Sequence, residues 1–201
     1  MSKIEKKYFY ILIFISFSLH IVCLNFYPVN FEFAFFEGSN FIRNGFDKEI
    51  ASRFFEIQAN SFSFSFVISF FSLILPFLKP VFIGKLLSAS SIILIAYSCL
   101  NLHVRNDKDN IKKNFNLNLF FLFLILNPLI WVFSYRSTPD VVSMSLAFFG
   151  FSIFYRFRQN YKLLYLGAII LGIATSFKII TGIYFISSIF LFSINEIKKN
   201  F

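Results

Sequence analysis

Charge is what this sequence has least of. Only 14% of its 201 residues are Asp, Glu, Lys or Arg, where soluble globular domains carry about 25%. Hydrophobic residues make up 57%, the mean hydropathy is +0.71, and a water-soluble globular domain is excluded on composition. Cysteine is nearly absent: Cys23 and Cys99 both lie in apolar runs, which leaves no disulfide framework and no Cys/His metal pattern. His20 and His103 are isolated from one another and from any second ligand at metal spacing, so both read as structural. With only seven glycines the chain has no Gly-rich phosphate loop and no nucleophile elbow.

What is present is a series of apolar segments, near residues 8–27, 61–78, 81–103, 115–134, 141–155 and 163–194. The first follows Lys3, Lys6 and Lys7 and is too long, without a small-residue cleavage site, for a removable signal; it reads as an uncleaved span. The last exceeds one span, and Lys178 with Gly182 divides it into arms near 163–180 and 183–194. The net charge of +9 would suggest nucleic acid in a soluble protein. Here the basic residues cluster between apolar runs, so membrane topology explains them and no nucleic-acid partner is expected.

Sidedness follows from where those charges fall. If every segment crosses, starting from a cytoplasmic N-terminus, the basic loops around 105–113 and 156–162 face outward, against the positive-inside rule. If 61–78 instead lies along or dips into the outer interface, twelve of the 19 Lys and Arg become cytoplasmic. Lys85 and Lys178 are then left in the membrane. The demoted segment is rich in hydroxyls (Ser61-Phe62-Ser63-Phe64-Ser65-Phe66) and ends among Pro76 and Pro80. Its Ser/Phe alternation also allows a brief extended stretch. The expected architecture is all-α: a polytopic transmembrane helix bundle, residues 1–201 forming one transmembrane domain, with juxtamembrane helices in an exterior loop over 28–80.

Against this background Arg136-Ser137-Thr138-Pro139-Asp140 sets an arginine and a carboxylate at the mouth of a span, and Ser176-Phe177-Lys178 sets a lysine between apolar residues. Ionisable groups at membrane depth are costly and mark candidate sites. Each also has a plainer reading. Asp140 would serve as a helix N-cap, Arg136 and Lys178 would snorkel to the interface, and Glu32 and Glu37 would be solvated acids of the exterior loop. Gly167, Ala168, Gly172 and Ala174 give their span a small face for close helix packing.

The order of these pieces resembles the N-terminal half of the C-type (GT-C) integral-membrane glycosyltransferases of mannosyltransferase or arabinosyltransferase type. Glu32-Phe33-Ala34-Phe35-Phe36 leads to Asn40-Phe41-Ile42-Arg43-Asn44-Gly45. Arg136-Ser137-Thr138-Pro139-Asp140 comes next, and then Gly167 through Gly172-Ile173-Ala174-Thr175-Ser176-Phe177-Lys178. The resemblance implies a multi-pass enzyme of the bacterial cytoplasmic membrane. Such an enzyme moves a sugar from a polyprenyl phosphate to a lipid, glycan or protein hydroxyl at the exterior face.

It implies Glu32, with Glu37 as a nearby competitor, as general base, and Asp140 as the second exterior acid, which orders the site or binds a divalent metal in some members. Arg136 and Lys178 would hold the donor phosphate. Family members are usually longer. That departure implies a truncated product, a split subunit whose partner supplies the missing spans, or a non-catalytic member of a membrane complex. A transporter or flippase component is the other alternative.

Overall fold

A computed structural model describes residues 3–22, 38–40, 42–45, 62–108, 117–127, 130, 136–157 and 159–199, and every regular element among them is helical. The chain forms α1 (Lys3–Val22), α2 (Phe62–Ile74), α3 (Pro80–Lys108), α4 (Leu117–Ile125), α5 (Pro139–Arg156), α6 (Tyr161–Phe177) and α7 (Gly182–Lys199), with a 3-10 turn (Ile179–Thr181) between the last two. Among the described residues one helix, Pro80–His103, is long and apolar enough to cross a membrane. Lys7–Val22, Ser63–Ile74, Tyr161–Phe177 and Ile179–Phe190 are apolar but shorter.

Local chemistry sets the ends. Pro76 disfavours helical geometry at Leu75, and α2 stops at Ile74. Pro80 opens α3 and Pro139 opens α5, where a missing N–H costs nothing. Asn160 caps α6 by accepting a hydrogen bond from the Leu163 N–H at 3.3 Å. The Ser/Phe alternation at the start of α2 is helical: Ser65, Ser69 and Ser72 turn inward at helical spacing, while Phe66, Phe70 and Leu73 face out.

The helix α5 is central. It runs parallel to α3, because Ser88 and Thr138 meet near one end and Asn101 and Ser152 near the other. It runs antiparallel to α6, where Gly150 faces Gly167. A Cβ on Gly150 would sit 2.8 Å from Leu171 Cγ and 3.1 Å from the Gly167 carbonyl oxygen. The small face of α6 is therefore Gly167 and Ala174, both buried, with Gly150 as its partner. Gly172 does not belong to it, since a Cβ there would meet nothing within 4 Å. The main core joins Phe9 of α1, Phe64 and Ile68 of α2, Ile92 and Cys99 of α3, Phe121 of α4, Val142 of α5 and Phe177 of α6. Cys99 is a buried free thiol, as expected of a small apolar filler; Cys23 lies outside the described residues.

The distribution of side chains differs from that of a soluble bundle. Large apolar residues form exposed helical stripes, Ile11, Phe14, Ile15 and Leu19 on α1 and Ile183, Ile186, Ile189 and Phe190 on α7. Serines share the interior with the apolar core: Ser65, Ser88, Ser91, Ser98, Ser143, Ser145 and Ser152 are all buried. Most satisfy themselves by donating to a carbonyl of their own helix, as Ser72 does to Ile68 and Ser98 to Leu94, both at 2.8 Å. That bond keeps a buried hydroxyl from being orphaned and lets neighbouring helices approach closely.

Candidate functional site

Two of the serines break that pattern. Ser88 donates to the Thr138 carbonyl at 3.3 Å, and Ser143 donates to the Ala174 carbonyl at 2.7 Å. Both bonds hold the start of α5 against its neighbours. A Cβ on Gly84 would overlap the Ser137 hydroxyl, so this glycine of α3 is what admits the bend 136–138 so close to the helix. Lys85, next in sequence, is 1% exposed.

Thr138 occupies the N-cap position of α5, with extended φ −129° and ψ 154° but no side-chain capping bond. Asp140 falls in the first helical turn. This corrects the plainer sequence reading: Asp140 is not the cap, and its carboxylate is directed elsewhere. It accepts a hydrogen bond from the Lys178 ammonium, an ion pair between residues 38 apart in sequence.

Lys178 reaches it because α6 ends there. Its backbone is extended, φ −153° and ψ 115°, and the chain then tightens into the 3-10 turn before Gly182 starts α7. Thr181 Oγ1 lies 2.7 Å from the Lys178 carbonyl, to which it donates, and 3.1 Å from Ser143 Oγ. Two hydroxyls from α5 and the turn thus pin the break between α6 and α7. Both Ser143 and Thr181 are buried, so their bonds are protected from competition by water. The Phe177 ring packs edge-on against Phe64, with centroids 5.7 Å apart, and adds α2 to the same end of the bundle.

The pair lies at a cavity of about 340 Å³. Ile130, Val141, Met144, Ile183 and Tyr184 give it apolar walls, while Asn127, Thr181, Asp140 and Lys178 supply its polar groups. The side chains of Lys178 and Asp140 are 44% and 27% exposed, so the charges remain open to an approaching ligand. An apolar chamber with a few convergent polar groups suits a ligand with a greasy body and an anionic head.

Of the residues singled out in the sequence, the structure brings Asp140 and Lys178 into contact. Arg136 is half-buried in the bend just before α5 and does not line the cavity. Glu32 and Glu37 lie outside the described residues. Among the described residues no three His, Cys, Asp or Glu side chains gather as a metal site. Asp140 already holds an ammonium, so this donor set does not fit a divalent cation, which needs several oxygen ligands. His20 bonds through Nδ1 to the Ser16 carbonyl at 2.7 Å, an intrahelical contact in keeping with a structural role.

Ser143, Thr181, Gly84 and Gly150 were not legible as site-forming residues. Serine and threonine are common along these helices, and nothing in the local sequence separates one that bonds across helices from one that bonds within its own. No protein-family model, curated protein or solved structure matches the chain.

Proposed function

We propose that the protein is a multi-pass membrane glycosyltransferase that moves a sugar from a polyprenyl-phosphate donor to a hydroxyl acceptor at the exterior face of a bacterial cytoplasmic membrane. The observation that carries this reading is the Asp140–Lys178 pair beside the apolar cavity. Lipid chain would occupy the apolar walls and the donor phosphate would meet Lys178. The exposed apolar stripes and buried serines support a lipid environment, because large contiguous apolar surfaces in water drive association. The polytopic arrangement, with the N-terminus in the cytoplasm and 28–80 outside, is part of the proposal.

In the reaction the bond from the sugar anomeric carbon to the phosphate oxygen breaks, and its electron pair stays on phosphate. The acceptor oxygen forms the new bond to that carbon and gives its proton to a carboxylate, which the resemblance assigns to Glu32. Lys178 would stabilise the charge that builds on the departing phosphate through charge-assisted hydrogen bonding. Asp140 would hold the ammonium in position, while Arg136, which the resemblance assigns to the donor phosphate, lies in the bend before α5 and outside the cavity lining.

The test is a transfer assay with polyprenyl-phosphate sugars on the purified protein and its Lys178→Gln variant. Product from the wild type and little from the variant supports the reading. Equal product from both removes Lys178 from the reaction.

A second reading has its own observation. Asp140 and Lys178 neutralise one another, and Ser143 and Thr181 fasten the same break, an arrangement that serves a non-catalytic subunit of a membrane complex equally well. Absence of transfer by the purified wild type, in a protein that still assembles with membrane partners, favours that alternative.

A further inference from the structure

The other end of α5 carries a cation of different character. Arg156 Nη1 donates to Asn101 Oδ1 at 2.6 Å, and Asn101 Nδ2 in turn donates to Ser152 Oγ at 3.1 Å. The guanidinium carbon lies 4.7 Å from the centroid of the Phe157 ring. Arg156 is half-buried and Asn101 is 7% exposed.

The two anchors are both neutral, and among the described residues no carboxylate pairs with this arginine. The ring takes a face of the guanidinium and Asn101 takes one N–H on its edge. Further in-plane N–H donors remain, in the fork that matches a phosphate.

Depth identifies the anion. From Asp140 to Arg156, α5 rises about 24 Å at 1.5 Å per residue, and the side chains at its two ends add to that reach. A bilayer's hydrocarbon core is about 30 Å thick. With Asp140 at one interface, Arg156 lies at the headgroup level of the opposite leaflet, where lipid phosphates are the abundant anions.

We infer that Arg156, fixed by Asn101 and Phe157, is a binding site for the phosphate of an anionic phospholipid headgroup. The inference rests on the membrane reading of the helices but not on glycosyl transfer. It assigns the face away from Asp140 a lipid-recognition role, and it makes Asn101 the positioning residue for the guanidinium.

The experiment uses the full chain in neutral detergent, with phosphatidylglycerol, phosphatidylcholine or inorganic phosphate added, and follows the thermal midpoint and the lipid retained in native mass spectrometry. Phosphatidylglycerol is expected to raise the midpoint and remain bound, and phosphatidylcholine, whose choline cation answers its own phosphate, to do so weakly. Arg156→Gln should weaken retention roughly tenfold, the scale of a lost charged hydrogen bond. Arg156→Lys should restore part of it, since the charge returns without the fork.

A midpoint shift from inorganic phosphate equal to that from phosphatidylglycerol would overturn the lipid assignment. Full retention of phosphatidylglycerol by Arg156→Gln would overturn the site. Should that variant not fold, a photoreactive phosphatidylglycerol headgroup on the wild type decides the question. Cross-links should map to residues 152–162, and cross-links confined elsewhere reject the proposal.

Discussion

The ammonium of Lys178 donates to the carboxylate of Asp140, tying the residue that ends α6 to the first turn of α5. The pair is partly solvated on both sides, at 44% and 27% exposure. Its contribution to stability is therefore small, under about 1 kcal/mol. Asp140→Asn should leave the thermal midpoint nearly unchanged and, under the proposed function, lower glycosyl transfer. A midpoint that collapses along with activity would instead make the pair a structural fastening.

The same contact predicts a gain. Asp140 competes with any incoming anion for the Lys178 ammonium, so Asp140→Asn should bind an unreactive polyprenyl phosphate several-fold more tightly than the wild type. Lys178→Gln should bind it more weakly. Titration of both variants with the same lipid measures the difference, and weaker binding by Asp140→Asn would show that the carboxylate helps to recruit the lipid.

Helix packing gives a sharper contrast between glycines. Gly150→Ala forces a methyl group against Leu171 and the Gly167 carbonyl, and an overpacked contact of this kind costs about 1–3 kcal/mol. Gly172→Ala meets nothing within 4 Å and should be neutral or stabilising by roughly 0.5–1 kcal/mol, because alanine loses less backbone entropy in a helix. Denaturant titration in detergent, read by circular dichroism, distinguishes the two.

Thr181→Val keeps the shape of the turn and removes its hydroxyl. The Lys178 carbonyl then loses its donor, at a cost of about 1 kcal/mol. The expected signature is a modest fall in thermal midpoint with a larger fall in transfer, since the break that presents Lys178 is held less firmly. An unchanged turnover would separate the hydroxyl network from the chemistry.

Topology is open to direct labelling. In a cysteine-free background, Asp140→Cys should react with an impermeant maleimide added outside intact cells, and Gln159→Cys only after the cytoplasmic face is opened. Labelling of position 140 from the cytoplasm alone would reject the exterior site.

Much of the helical framework was legible because it is local. Apolar runs interrupted by basic loops locate α1, α3, α5 and α6, and Lys178 with Gly182 marks the division of the last run. Thr138-Pro139-Asp140 marks the start of α5, although the cap position fell to Thr138 and left Asp140 free to turn towards Lys178. The small face of α6 was half legible: Gly167 and Ala174 are buried, but Gly172 points outward.

By itself the sequence determined where helices form and where charge interrupts them, because propensity, proline and hydrophobic patterning act over a few residues at a time. Only the tertiary structure decided that Asp140 meets Lys178, that Ser143 and Thr181 clamp the break, and that Gly84 and Gly150 admit their neighbours. Those relationships depend on helix rotation and crossing, which bring residues far apart in the chain within a few ångströms. A serine that bonds within its own helix and one that joins two helices are the same letter until that packing is known.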